Sequence, residues 1–217
     1  MKILKTFAAS LVALLFATNM QAQLTQDTEG YQRFQLSFDA QRMQGKDDGT
    51  KIGDPLKTKG VALGFIKGIN LVTTMPLFLE LGGNIAWNHN KEKENDEEEK
   101  NTFMYISVPV QAAYKLTFSN SPISIVPFVG PNLKFNFMGK TTTKDGDEKD
   151  KFKWLKDTDD GGADAKIFQF GLNLGVGVNI NRLYVGYTFQ PDFSPYVKDG
   201  DWKEKTINNL ISLGINF

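Results

Sequence analysis

Between Phe168 and Ile180 every second residue is large and apolar: Phe168, Phe170, Leu172, Leu174, Val176, Val178 and Ile180. The residues between them, Gln169, Gly171, Asn173, Gly175, Gly177 and Asn179, are all small or polar. Successive side chains of a strand point to opposite faces, so this segment makes a strand with one apolar face and one small, polar face. A strand in a soluble core turns its polar face to water and decorates it with Lys, Glu and Thr. Here that face is glycine and amide, the composition of a confined polar interior. Such a strand fits a barrel whose apolar side meets lipid.

Seven further segments repeat the alternation. Tyr31–Met43 sets Phe34, Leu36 and Phe38 against Gln35, Ser37 and Asp39, and 60–67 sets Val61, Leu63 and Phe65 against Ala62 and Gly64. Residues 77–88 place Leu79, Leu81 and Ile85 opposite Phe78, Glu80 and Asn84, and 103–116 place Ile106, Val108 and Val110 opposite Ser107, Pro109 and Gln111. Residues 123–137 carry Val129, Leu133 and Phe135 against Gly130, Asn132 and Lys134. The last two candidates are 183–190 and 206–217. Proline lacks a ladder donor, so Pro109 predicts a bulge or a locally missing bond.

The connections expected after the first, third, fifth and seventh strands are long and charged, at about 44–58, 89–101, 138–166 and 191–205. Those after the second, fourth and sixth are short. Lys91–Lys100 holds six acids and three lysines and no apolar residue, which predicts a solvated loop. The expected fold is all-β: an eight-stranded antiparallel up-and-down transmembrane β-barrel, with long loops at the cell exterior and short periplasmic turns. Closure removes the unpaired strand edges that lipid would not tolerate. A soluble eight-stranded barrel carrying an apolar ligand would need a charged outside, and charges are nearly absent from the strand centres here. Tyr31, Trp87, Tyr105, Tyr114 and Tyr187 lie near strand ends, where interfacial girdles are expected.

The compartment follows from the first residues. Lys2 and Lys5 precede an apolar run of twelve, Phe7–Thr18, and Ala22 is the small residue before the expected cut. This pattern predicts a secretory signal peptide over 1–22, with the barrel domain over 23–217 and an outer-membrane location. The run is too short to span a bilayer as a helix. Removing it takes away two lysines and no acid, leaving 23 basic and 25 acidic residues, so nothing calls for a nucleic-acid partner. With no cysteine there is neither a lipidation site nor a disulfide.

The stretches YISVPVQAAYKL (105–116), PFVGPNLKF (127–135), FGLNLGVGVNI (170–180), LYVGYTF (183–189) and ISLGINF (211–217) together resemble the PorT-like outer-membrane β-barrel family of Bacteroidetes. Pro109, the Gly130-Pro131 pair and the terminal aromatic are the most specific parts. The resemblance implies the barrel fold and the outer membrane, and for some relatives a part in secretion-system assembly. Leu213, Ile215 and Phe217 are similar to the signal that the barrel-assembly machinery reads.

No constellation points to catalysis. His89 is the single histidine and would lie at a strand end, where a lipid-modifying rim enzyme needs an oriented Ser or Asp beside it. No spacing supplies one. Asp39, Glu80, Lys115 and Lys134 point inward by strand parity, and an eight-stranded barrel is only wide enough for its side chains to fill. They are therefore expected to form a polar plug, which disfavours a pore. Asp145–Glu148 and Asp157–Gly162 lack the spaced ligands and terminal glutamate of a calcium loop, so no metal and no cofactor is expected. Phe152 and Trp154 form an aromatic cluster suited to a partner, a barrel lid or lipid headgroups. The expected role is non-enzymatic: a structural or interaction protein, with outer-membrane lipid around it and an extracellular or envelope protein at its loops. An accessory role in envelope assembly or secretion is the main alternative; a rim enzyme or a narrow pore are the others.

Overall fold

The computed structural model describes residues 24–25, 28–48, 50–94, 97–118, 121–145, 148–155, 163, 165–199 and 202–217. The expected signal segment and the 157–162 cluster lie outside them. Eight long strands form the wall: β1 (Tyr31–Asp47), β2 (Leu56–Val72), β3 (Met75–Glu94), β4 (Glu97–Tyr114), β5 (Ile123–Asp145), β6 (Phe168–Ile180), β7 (Leu183–Pro191) and β8 (Trp202–Asn216). Each pairs antiparallel with its sequence neighbours, and β8 pairs with β1, so the sheet closes on itself. Among the described residues there is no helix.

The wall sorts side chains by parity. Leu36, Leu63, Leu174, Leu183 and Leu213 are each more than half exposed on its outside, a continuous apolar surface that water would not tolerate. Asp39, Glu80, Asn132, Lys134, Gln169 and Asn208 are fully buried inside. Glycine lets the wall approach itself: a Cβ at Gly60 would lie 1.9 Å from the carbonyl oxygen of Trp87. The β3–β4 ladder lapses between the Leu81–Val110 and Asn84–Ser107 pairs, opposite Pro109. That is the missing bond expected of a strand proline.

Three expectations are corrected. Residues 89–94 and 97–101 are strand, not loop, and so are 138–145 and 148–153 (the latter a short strand paired with β5). Strand likewise takes 44–47, 50–51 and 56–58 of the first expected loop, and 197–199 and 202–205 of the last. A charged run needs no apolar face to be a strand when its ladder supplies every backbone partner. The β3–β4 connection is thus short, and length at this end comes from strands that overshoot the apolar belt. The third correction concerns the girdle. Tyr105 is buried inside, and Tyr31 turns its hydroxyl inward to Glu80, because both share the parity of the lumen residues. Trp87 does lie on the outer wall.

At the other end the connections are short. Residues 73–74 and 181–182 are turns, and Asn181 takes φ 54° in a left-handed conformation that asparagine tolerates. Lys115, half-buried, begins the β4–β5 connection, which carries a short strand at Leu116–Phe118 paired with Leu24–Thr25.

Candidate functional site in the barrel interior

The interior holds two charged networks. Nearer the short-turn end, Arg33 on β1 and Glu80 on β3 form an ion pair at 3.1 Å, both buried. Tyr31 and Gln111 donate hydrogen bonds to the two oxygens of Glu80. The Arg33 guanidinium lies 3.8 Å from the ring centre of Tyr184, so its face is covered by an aromatic surface. Both Glu80 oxygens thus have donors, and Arg33 has Glu80 and, through Nε at 3.0 Å, Gln35, as buried charge requires.

Nearer the long-strand end, Lys134 on β5 donates to Asp192 Oδ2 at 2.5 Å and to Asn208 Oδ1 at 2.8 Å. Thr206 also donates to Asp192. Asn208 in turn donates to both oxygens of Asp39, at 2.9 and 3.0 Å. Tyr105 and Asn88 complete the Asp39 shell at 2.5 and 2.7 Å. Asp39, Glu80 and Lys134 are therefore all inside, but in two networks rather than one: Asp39 and Lys134 share Asn208, while Glu80 belongs to Arg33.

Arg33 and Asp192 are the residues that sequence reasoning missed. Arg33 has the parity of Asp39 and was legible by counting back along β1. Asp192 follows Pro191 beyond β7 and is brought in by an isolated bridge to Gly171, a contact with no local signal. Between the networks lies a cavity of about 20 Å³ lined by Gln35, Asn84, Ser107 and Gln190 among others. That is room for about one water molecule. Side chains thus fill the lumen between the networks, while a pocket of about 230 Å³ lined by Tyr31, Ser124 and Asn179 opens toward the short-turn end.

Above the second network sits an aromatic lid. Trp154 packs on Phe103 and Tyr196, with ring centres 5.8 and 6.0 Å away, and its Nε1 donates to Thr141 at 2.9 Å. Met43, Ala165 and Val197 are buried in the same cluster. Phe152 stands edge-on to Trp154 at 5.6 Å and remains partly exposed. Both lie on the mouth-facing side of the sheet, Phe152 opposite Thr141, with Trp154 packed in the lid and Phe152 at its edge.

His89 is on the outer wall. It stacks on Trp87 and its Nδ1 meets Thr102 Oγ1 at 3.3 Å. At the seam, Phe217 exchanges two backbone hydrogen bonds with Gln32, at 2.9 and 3.0 Å, and packs on Phe34. Leu213, Ile215 and Phe217 all face outward.

The sequence pattern of the family described as outer membrane protein β-barrel domain matches residues 21–195. The chain belongs to that family. It is a protein of the bacterial outer membrane, and its apolar wall faces lipid. Among solved structures, this outer membrane barrel is similar to Ail, the attachment invasion locus protein of Yersinia pestis, with TM-score 0.46 and 16% identity, covering 87% of this chain and 99% of that one. OprG from Pseudomonas aeruginosa gives TM-score 0.45 and 14% identity, over 88% and 98% of the two chains. Neisserial surface protein A gives 0.37 and 14%, over 85% and 97%. No curated protein matches the chain.

Proposed function

We propose that this outer membrane barrel is non-conducting and non-enzymatic, and acts as a structural or surface-interaction protein through the hairpins of its long-strand end. That end is assigned to the cell exterior, because outer-membrane barrels keep their short turns in the periplasm. The observation that supports the reading is the filled middle of the barrel: among the described residues, two buried charged networks and an aromatic lid stand across the lumen. The non-enzymatic part is supported by His89, which meets a threonine on the lipid-facing wall rather than an aspartate or serine in a cleft.

Within the family, the PorT-like assignment belongs to the same proposal and rests on Pro109, Gly130-Pro131 and Phe217. So do export through cleavage of residues 1–22, recognition of Leu213, Ile215 and Phe217 by the barrel-assembly machinery, and an extracellular or envelope protein partner at the hairpins.

The test is electrical and chemical. Purified protein in planar bilayers should give no discrete conductance steps; regular steps would overturn the plug. Deleting the protein should leave the lipid profile of the outer membrane unchanged. A lipid modification that disappears with the protein, and with His89→Ala alone, would make it a rim enzyme.

A further inference from the structure

The overshooting parts of β3, β4 and β5, with the short strand Glu148–Lys153, form a four-stranded sheet that projects beyond the apolar belt. Register fixes which residues share a face, because directly opposed side chains lie on the same side. Starting from the belt, Trp87 lies opposite Met104, and Met104 opposite Met138. The next row on that outer face is His89, Thr102, Lys140 and Lys153. Above it come Lys91, Lys100, Thr142 and Lys151, and then Lys93, Glu98, Lys144 and Lys149. Successive rows are ~7 Å apart along the strands. Among the described residues, eight lysines thus share this face with a single carboxylate, Glu98.

The opposite face has the opposite sign. Glu92, Glu99, Thr143 and Asp150 make one row, and Glu97, Asp145 and Glu148 the next. A sheet exposed to water on both sides gains by opposing unlike charges across strands, and like charges directly opposed are destabilising. Here Lys140 faces Lys153 and Lys144 faces Lys149. Among the described residues no carboxylate lies within ion-pair distance of any of these four; Glu98 bridges only Lys91 and Lys100. The basic face also continues sideways around the wall: Lys59 is opposite His89 and Arg42 opposite Lys57, again without acidic partners among the described residues. Among the described residues this segregation is left uncompensated, which favours a ligand of opposite charge.

We propose that this outer face binds the phosphate groups of anionic glycolipid headgroups in the surrounding outer leaflet. Three observations select lipid. The face is the same side of the sheet as the lipid-contacting wall, its first row lies one step above Trp87 and Val61, and its charge is complementary to phosphate. The acidic face looks the other way, over the barrel mouth. The proposal rests on the exterior orientation given above, but not on the closed lumen.

The experiment uses the full-length barrel in phosphatidylcholine nanodiscs containing either bisphosphorylated lipid A or the same glycolipid stripped of both phosphates. Native mass spectrometry then counts glycolipid retained per barrel. Retention is expected only for the phosphorylated form and should fall with rising salt. Replacing Lys140, Lys144, Lys149, Lys151 and Lys153 with Gln should lower it more than about tenfold, since each lysine near a lipid surface contributes about fivefold. Replacing Glu92, Glu97 and Glu99 with Gln on the other face should not lower it. A heat-dependent gel shift checks that both variants fold; should the lysine variant fail, the salt titration of wild type decides.

Equal retention of the two glycolipids, indifference to the lysines, or equal loss from either face would overturn the proposal. So would full displacement by inorganic phosphate, which would assign the face to a soluble anion. Pairing of barrels in glycolipid-free discs that the lysine variant abolishes would hand the face to a second copy. None of these outcomes depends on conductance, so this inference and the closed-lumen reading fail separately.

Discussion

Lys134 and Asp192 lie 2.5 Å apart, both fully buried, although 58 residues separate them in the chain. Among the described residues the barrel interior buries two cations, Arg33 and Lys134, against three carboxylates, Asp39, Glu80 and Asp192. Lys134→Met would leave Arg33 alone against all three. Breaking a buried pair from one side costs about 3–5 kcal/mol, because the remaining charge stays out of water. Removing both members and filling the space with apolar groups is far less costly. Urea unfolding of the lipid-reconstituted barrel should therefore show Lys134→Met strongly destabilised and Lys134→Met/Asp192→Leu recovering more than half of the loss. A double variant as unstable as the single would mean that Lys134 acts through Asn208 rather than Asp192.

Gly60 and Gly83 separate backbone closeness from mere composition. A Cβ at Gly60 would meet the Trp87 carbonyl oxygen at 1.9 Å, an atom that cannot rotate away, whereas nothing lies within 4 Å of a Cβ at Gly83. Gly60→Ala is expected to destabilise by about 1–3 kcal/mol, the ordinary cost of overpacking. Gly83→Ala, on the outer wall, should fall within about 0.5 kcal/mol of wild type. Thermal unfolding of the two variants in the same detergent checks the contrast.

The wall was readable from residue types because alternation with period two assigns each side chain a face, and one long uninterrupted strand, Phe168–Ile180, sets the pattern. The plug was readable in half. Asp39, Glu80 and Lys134 follow from parity, and Arg33 was available by the same count, but Asp192 depends on a bridge to Gly171 across a chain reversal. Two features have no apolar signature. Phe137 and Met138 both face outward at a bulge where β5 gains a residue against β4, so the parity of Lys140–Asp145 inverts relative to the strand below. The Lys91–Lys100 run alternates in charge rather than in hydrophobicity, and a search for apolar faces passes over it.

Among the described residues, Glu98 is the one charge on the basic face that opposes its neighbours. Hydrogen bonds from Lys100 and Lys91, at 2.6 and 2.7 Å, hold its carboxyl down at about 2, against an ordinary 4.5. For a lowered carboxylate the contribution to stability is complete above 4.5 and is lost as pH falls through about 2. The projecting hairpin should therefore keep its order at pH 4 and loosen near pH 2. A carboxyl titration followed by NMR should place the Glu98 midpoint near 2. Glu98→Gln removes the bridge, leaves Lys91 directly opposite Lys100, and should speed amide exchange over 91–100 at neutral pH. A midpoint near 4.5 would show that the two lysines do not hold the carboxylate in solution.

Phe217 makes two kinds of contact at the seam that substitution can separate. Its N–H and C=O both bond to Gln32 and so contribute to closing β8 onto β1, while its ring points into lipid and rests on Phe34. Deleting the residue removes the two bonds together with the ring; Phe217→Ala keeps the bonds. If the ring matters chiefly as a signal during assembly, Phe217→Ala should lower the amount of barrel inserted in cells, while protein refolded in detergent keeps its heat shift and its urea midpoint. Deletion should lower both, since the hydrogen bonds it removes each contribute about 1 kcal/mol at the seam. Equal insertion of wild type and Phe217→Ala in cells would remove the assembly signal and leave Phe217 as a structural residue of the seam alone.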